Sequence, residues 1–148
     1  MAKIFFDTNI LIYTVDKKDQ EKFEVSRSII KSISSDHSPV ISTQVIQEFY
    51  SASTVKLKLE KIFIKNIVHS YQNMEIVTID LQIIDQAIDI SIIFQLSFWD
   101  SLIVAAAEQA KCEYLISEDL NNGQSIRGIK IINPFKNEGK RFLTTAST

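Results

Sequence analysis

Two hydrophobic rhythms alternate along the chain. Short apolar runs of four or five residues separate longer stretches in which apolar residues recur every three or four positions. The first run, Lys3–Phe6, stops at Asp7 and reads as a strand buried on both faces. Ile10, Leu11 and Val15 then follow at helical spacing, and residues 23–33 place Phe23, Ser26, Ile29, Ile30 and Ile33 on one helical stripe. Pro39, Val40 and Ile41 predict a second strand. Ser42 or Thr43 can cap the helix that follows, which carries Val45, Ile46, Phe49 and Tyr50. Residues 57–71 predict a helix with Leu59, Ile62, Phe63, Ile67 and Tyr71 on one side, and residues 75–79 a third strand.

Asp80 can cap the next helix, where Leu81, Ile84, Ala87, Ile88 and Ile92 recur at helical steps. Ser97 precedes a helix opened by Phe98, Trp99 and Asp100 and continued by Leu102, Ile103, Ala106, Ala107 and Ala110. Tyr114–Ile116 predicts a fourth strand, Gly123 and Gly128 punctuate a loop, and Ile129–Ile132 predicts a fifth strand stopped by Asn133 and Pro134. Strands that alternate with helices predict an α/β fold: a central five-stranded parallel sheet with helices on both faces. One domain over residues 1–135 absorbs every element, and residues 136–148 form a polar tail expected to fray.

Composition narrows the chemistry. A lone cysteine, Cys112, excludes an internal disulfide and a cysteine zinc cage, and two histidines, His37 and His69, exclude a His-rich metal site. Gly123 and Gly128 have the spacing of a phosphate loop, but Ile129 stands where lysine is needed and a strand follows instead of a helix. Carboxylates are what remains. No uncharged apolar stretch approaches the ~20 residues of a membrane span, and Asp7 interrupts the apolar opening too early for a signal peptide. A cytoplasmic location is expected, and an unpaired thiol suits it.

Parallel sheets place their sites at the carboxyl ends of strands, near the point where strand order reverses. Asp7 lies just past the first strand, and Glu118 and Asp119 lie just past the fourth. Glu48 sits in the helix after the second strand, and Asp100 in the first turn of the helix leading into the fourth. Acids gathered there repel one another, and a divalent cation relieves the conflict. Oxygen ligands suit Mg²⁺ or Mn²⁺, which lowers the pKa of a bound water and holds a phosphodiester in line for attack. Metal-dependent phosphodiester hydrolysis is the chemistry these residue types support. By contrast, Asp85 and Asp89 sit opposite the apolar stripe and read as surface acids.

Four short motifs in order carry a resemblance: Asp7-Thr8-Asn9, Gln47-Glu48-Phe49, Trp99-Asp100-Ser101 and Ser117-Glu118-Asp119-Leu120. With Asn121-Asn122-Gly123-Gln124, Gly128 and Asn133-Pro134-Phe135 behind them, the chain resembles the PIN-domain ribonucleases, and among these the VapC-type toxins of bacterial toxin–antitoxin pairs. The resemblance implies a PIN-like fold and an endoribonuclease with Asp7, Glu48, Asp100 and Asp119 as its acidic cluster. It makes Asp7 and Asp100 direct ligands of Mg²⁺ or Mn²⁺, and Asp119 a ligand of a second ion or one acting through water. Glu48 then orients water or metal, while Thr8, Asn9 and Ser117 orient the carboxylates.

Ser117 stands where the family often has threonine, and Asn122 where an acid is frequent; Glu118 can share the role of Asp119. The resemblance also implies an RNA substrate such as tRNA or rRNA, a small antitoxin whose C-terminal peptide occupies or wraps the active-site groove, and a homodimer. The stripes at 23–33 and 57–71 can supply such surfaces. Lys58, Lys61 and Lys65, at helical spacing, are candidates for RNA phosphates, as are Lys130, Lys136, Lys140 and Arg141, although a solvated face explains both sets too. The rival function is a PIN-like module that binds RNA or protein without cutting.

Overall fold

The computed structural model describes residues 1–136. Its elements run β1 (Lys3–Phe6), α1 (Thr8–Tyr13), α2 (Gln20–Asp36), β2 (Ser38–Ser42), α3 (Thr43–Ser51), α4 (Lys61–Ser70), β3 (Glu75–Val77), α5 (Leu81–Phe94), α6 (Phe98–Gln109), β4 (Tyr114–Ile116), β5 (Ser125–Ile126) and β6 (Ile129–Ile132). All the strands lie in one sheet, ordered β3-β2-β1-β4-β6-β5. Neighbours are parallel except β5 and β6.

Phe5, Phe6, Ile4, Ile41, Leu115, Ile116 and Ile131 are fully buried, which is why these strands read as unbroken apolar runs. Helix starts follow side-chain chemistry. Asp19 accepts from the Lys22 N–H, Ser42 from Val45, Asp80 from Ile83 and Ser97 from Asp100, each satisfying an amide with no partner inside its helix. Ser42, not Thr43, is the cap of α3. The chain leaves β1 and builds outward through β2 and β3, then crosses to the other side of β1 to lay down β4. The order therefore reverses between β1 and β4, the place where α/β sheets open a crevice.

Three expectations need correction. The sheet has six strands, not five, and is mixed, because Ser125 and Ile126 pair antiparallel with Lys130 and Ile129. Arg127 and Gly128, both at positive φ, close that pair as a two-residue hairpin, so the loop glycine marked a tight turn.

The predicted helix over 57–71 starts late. Helix α3 runs on through a wide turn, Ala52–Lys56, where the Leu57 N–H reaches back to the Ala52 carbonyl at 3.0 Å. Lys58 then takes φ 57°, and α4 begins only at Lys61. Lys58, Lys61 and Lys65 therefore do not share one helix face.

Helix α5 presents a different stripe from the expected one. It buries Ile83, Ala87 and Ile90, while Leu81, Ile88 and Ile92 stand exposed. Lys136 lies at the limit of the described residues; Lys140, Arg141 and the rest of the predicted tail fall outside them. Among the described residues no single helix is long and apolar enough to cross a membrane.

Candidate active site

The carboxyl ends of β1 and β4 lie side by side, because Phe6 is in register with Ile116 and the Asp7 N–H continues the ladder to the Ile116 carbonyl at 3.0 Å. Asp7 is thereby held at the sheet edge and buried to 5% exposure. One of its oxygens caps α1, accepting from the Thr8 N–H at 2.7 Å. The other accepts from the Ser117 hydroxyl at 2.7 Å, across 110 residues of sequence. Burial pushes the Asp7 carboxyl up from 3.8 to about 7, against the pull of the Ser117 and Thr8 hydrogen bonds, and the nearby charges of Asp119 and Asp100 raise it further.

Ser117 does double duty. It donates to Asp7 and accepts from the Asp119 N–H at 3.2 Å, linking the two acids through one hydroxyl. Asn9 donates to Asp119 Oδ2 at 2.7 Å, and the Thr8 hydroxyl donates to Glu48 Oε1 at 2.7 Å. The Asp119 carboxyl is also raised, by partial burial first and then by Asp100, Glu118 and Glu48. Asp100, in the first turn of α6, completes the set.

One carboxylate oxygen each from Asp7, Asp100 and Asp119 lies within 4.8 Å of the other two. These acids and Glu48 line a shallow cavity of about 190 Å³ with Thr8, Asn9, Gln44 and Trp99. Converging oxygens, two of them on carboxyls that resist ionising alone, form a donor set that fits a hard divalent cation.

Glu118 is turned elsewhere. Its oxygens accept from the Tyr13 hydroxyl and the Lys22 ammonium, each at 2.5 Å. The Tyr13 ring meets Phe135 edge-on, and Lys22 lies over both rings. The acid that the sequence left as an alternative to Asp119 is thus a tie between α1, α2 and the turn after β4. Asn122 caps the chain reversal, accepting from the Asn133 N–H at 2.8 Å. His37 takes the Ala2 N–H at its Nδ1, and Cys112 is buried, its thiol pushed up to about 12 by desolvation.

Of the lysines proposed for RNA, Lys65 borders a shallow depression with Gln47 and Tyr50. A neighbouring depression joins Gln47 and Glu48 to Lys56, which the sequence did not single out. Gln44 and Trp99 were missed as members of the cavity. A larger concavity among the described residues is separate, so the stripes at 23–33 and 57–71 border not the acid cavity, as expected, but a groove of about 890 Å³ between α2 and α4, lined by Phe23, Arg27, Ile30, Leu57, Leu59, Phe63, Ile67 and Tyr71.

Comparison with known proteins bears on the family and the fold. A PIN-domain family model matches residues 4–122. Among curated proteins none matches. A toxin–antitoxin complex from Klebsiella pneumoniae is similar in structure at a TM-score of 0.65 and 19% identity, covering 90% of this chain and 98% of that one. VapBC of Salmonella typhimurium, solved bound to DNA, gives 0.64 and 20%, covering 88% and 97%. VapC20 of Mycobacterium tuberculosis, a toxin that cleaves the sarcin–ricin loop, gives 0.62 and 13%, covering 78% and 91%.

Proposed function

The chain belongs to the PIN-domain family, and from that premise we propose that it is a metal-dependent endoribonuclease acting as the toxin of a toxin–antitoxin pair. The observation that carries this reading is the convergence of Asp7, Asp100 and Asp119 at the point where strand order reverses. Asp7, Asp100 and Asp119 hold Mg²⁺ or Mn²⁺. When bound there, a divalent ion would offset phosphate charge and lower the pKa of a water.

The protein's own groups do the positioning. Ser117 and the Thr8 N–H fix both oxygens of Asp7, and Asn9 fixes Asp119. Glu48 is held through Oε1 by Thr8, which leaves Oε2 to accept a hydrogen bond from the attacking water. The water oxygen bonds to phosphorus and gives up a proton to Glu48 Oε2, while the P–O bond to the departing ribose oxygen breaks and that oxygen takes up a proton from solvent.

The groove between α2 and α4 receives the antitoxin as a peptide with apolar anchors, since its walls are apolar and its rim carries Lys17, Lys18, Arg27 and Lys31. An acidic, amphipathic segment fits both features. A second copy covers the exposed row Leu81, Ile88, Ile92 and Ile93 of α5. Ile88→Glu should then convert a dimer to a monomer in sedimentation. The protein acts in the cytoplasm, where its substrate is made.

Incubating the protein with total tRNA and rRNA tests the activity. Cleavage is expected in Mg²⁺ or Mn²⁺ and none in EDTA. The Asp7→Asn, Asp100→Asn double variant should stay folded and cut nothing. Cutting that survives EDTA or the double variant refutes the mechanism.

A further inference from the structure

Trp99 and Gln44 line the acid cavity without holding its carboxylates. Trp99 is the only tryptophan in the sequence and is 61% exposed, directly before Asp100. An indole left in water beside a polar cavity is an unused stacking surface. It is not loosely placed. Phe98 meets it edge-to-face at 5.1 Å, and its backbone carbonyl accepts from Gln44 Nε2 at 3.2 Å.

Gln44 is 5% exposed. That bond fixes which way round its amide lies, because only the nitrogen can donate to a carbonyl. Oε1 is then a buried acceptor with no partner among the described residues, on a side chain that lines the cavity. Buried acceptors are seldom left unpaired, and this one, itself shut off from solvent, can be met by a donor from the cavity once the Gln44 side chain turns toward it.

We propose that Trp99 and Gln44 form the nucleotide-recognition wall of this cavity. The indole stacks on an unpaired base next to the scissile phosphate, and Gln44 Oε1 accepts a hydrogen bond from that nucleotide's 2′-hydroxyl. This rests on the reading of the chain as a ribonuclease and adds to it the form of the substrate.

A base inside a duplex is already stacked and its edges are occupied; a base in a single strand or loop is free to pair its face with an aromatic ring. Such a contact tolerates any base, because every base has a π-face. Beyond Glu48 the adjoining depression ends at Lys56, which offers a cation to the phosphate of a neighbouring nucleotide. Base on Trp99, cleaved phosphate among the acids and flanking phosphate at Lys56 describe one path for an RNA strand. The 2′-hydroxyl contact makes the wall prefer RNA over DNA.

Trp99, as the only indole, reports the contact through its own fluorescence. The full chain is titrated in EDTA and again in Ca²⁺ with a single-stranded RNA hexamer, the same RNA as a duplex, and the matching DNA hexamer. Polarisation of a labelled strand measures binding independently. The single-stranded RNA should quench the emission, the duplex should not, and the DNA should need a several-fold higher concentration.

In Mg²⁺, Trp99→Ala should raise KM for RNA about tenfold, in line with the loss of one stacked base, while kcat falls less. Gln44→Met should erase the margin between RNA and DNA. Unchanged emission at saturating RNA, or an unchanged KM in Trp99→Ala, overturns the proposal. If Trp99→Ala proves unfolded by circular dichroism, Trp99→Phe and the quenching of the unaltered protein decide. Blue-shifted emission that moves red on dilution places a second copy over the indole and also overturns it. Quenching without any cleavage removes the ribonuclease reading alone; cleavage without quenching removes the stacking wall alone.

Discussion

Asp7 sits under opposing demands. As the cap of α1 it accepts a hydrogen bond, which favours the charged form, yet its burial beside Asp100 and Asp119 favours the neutral one, and burial wins. A carboxyl raised from 3.8 to about 7 stabilises the fold fully below pH 3.8 and loses that contribution as pH rises through 7. In EDTA at pH 8, Asp7→Asn is therefore expected to raise the melting temperature, by up to about 4 kcal/mol in stability, with the gain fading toward pH 4. Protons and Mg²⁺ compete for the same oxygens, so the thermal stabilisation produced by added Mg²⁺ should grow as pH rises through 7 in the unaltered protein.

Ser117→Ala removes the hydroxyl that pulls the Asp7 carboxyl down. The pH at which Mg²⁺ begins to stabilise should shift upward, and Ser117→Thr should restore it. That Asp7 and Asp119 lie near each other was legible in the sequence because both follow strand ends. What Glu118 does was not, since its partners Tyr13 and Lys22 lie 105 and 96 residues away. The pairing of Gln44 with Trp99 was hidden for the same reason: a hydrogen bond spanning 55 residues leaves no mark in local spacing.

At the scale of elements, periodicity located helices better than it chose their faces. Helix α5 carries apolar residues on both sides of its Asp85 and Asp89 face, so Leu81, Ile88 and Ile92 match a helical template as well as the buried Ile83, Ala87 and Ile90 do; only the neighbouring α6 decides between them. The late start of α4 was hidden because Leu57 and Leu59 continue the apolar rhythm through a bent connection and then line the groove with Phe63 and Ile67. The antiparallel β5 was missed because two residues are too short to show alternation. Its hairpin depends on backbone freedom at Gly128, where φ is 79° and nothing stands within 4 Å of the missing Cβ. Gly128→Ala should therefore cost about 1 kcal/mol through backbone strain alone, a modest fall in melting temperature with cleavage retained.

For the molecule as a whole, a net charge of −2 conceals its arrangement. Acids converge at one sheet edge, while Lys56 and Lys65 lie in the depressions leading away from it. Binding of single-stranded RNA should accordingly weaken with salt only gently. Neutralising about two phosphates, one per lysine, predicts a slope of roughly −1.4 in a plot of log affinity against log salt, and a markedly steeper slope would require a basic surface beyond these lysines.

The tie between Asp7 and Ser117 also has a consequence in time. A ribosome makes the β1 end of the pocket first and the β4 end more than a hundred residues later. Through most of its own translation the chain therefore holds Asp7 with neither Ser117 nor Asp119 beside it. A nascent chain stalled before residue 117 carries Asp7 but not the completed acid cluster.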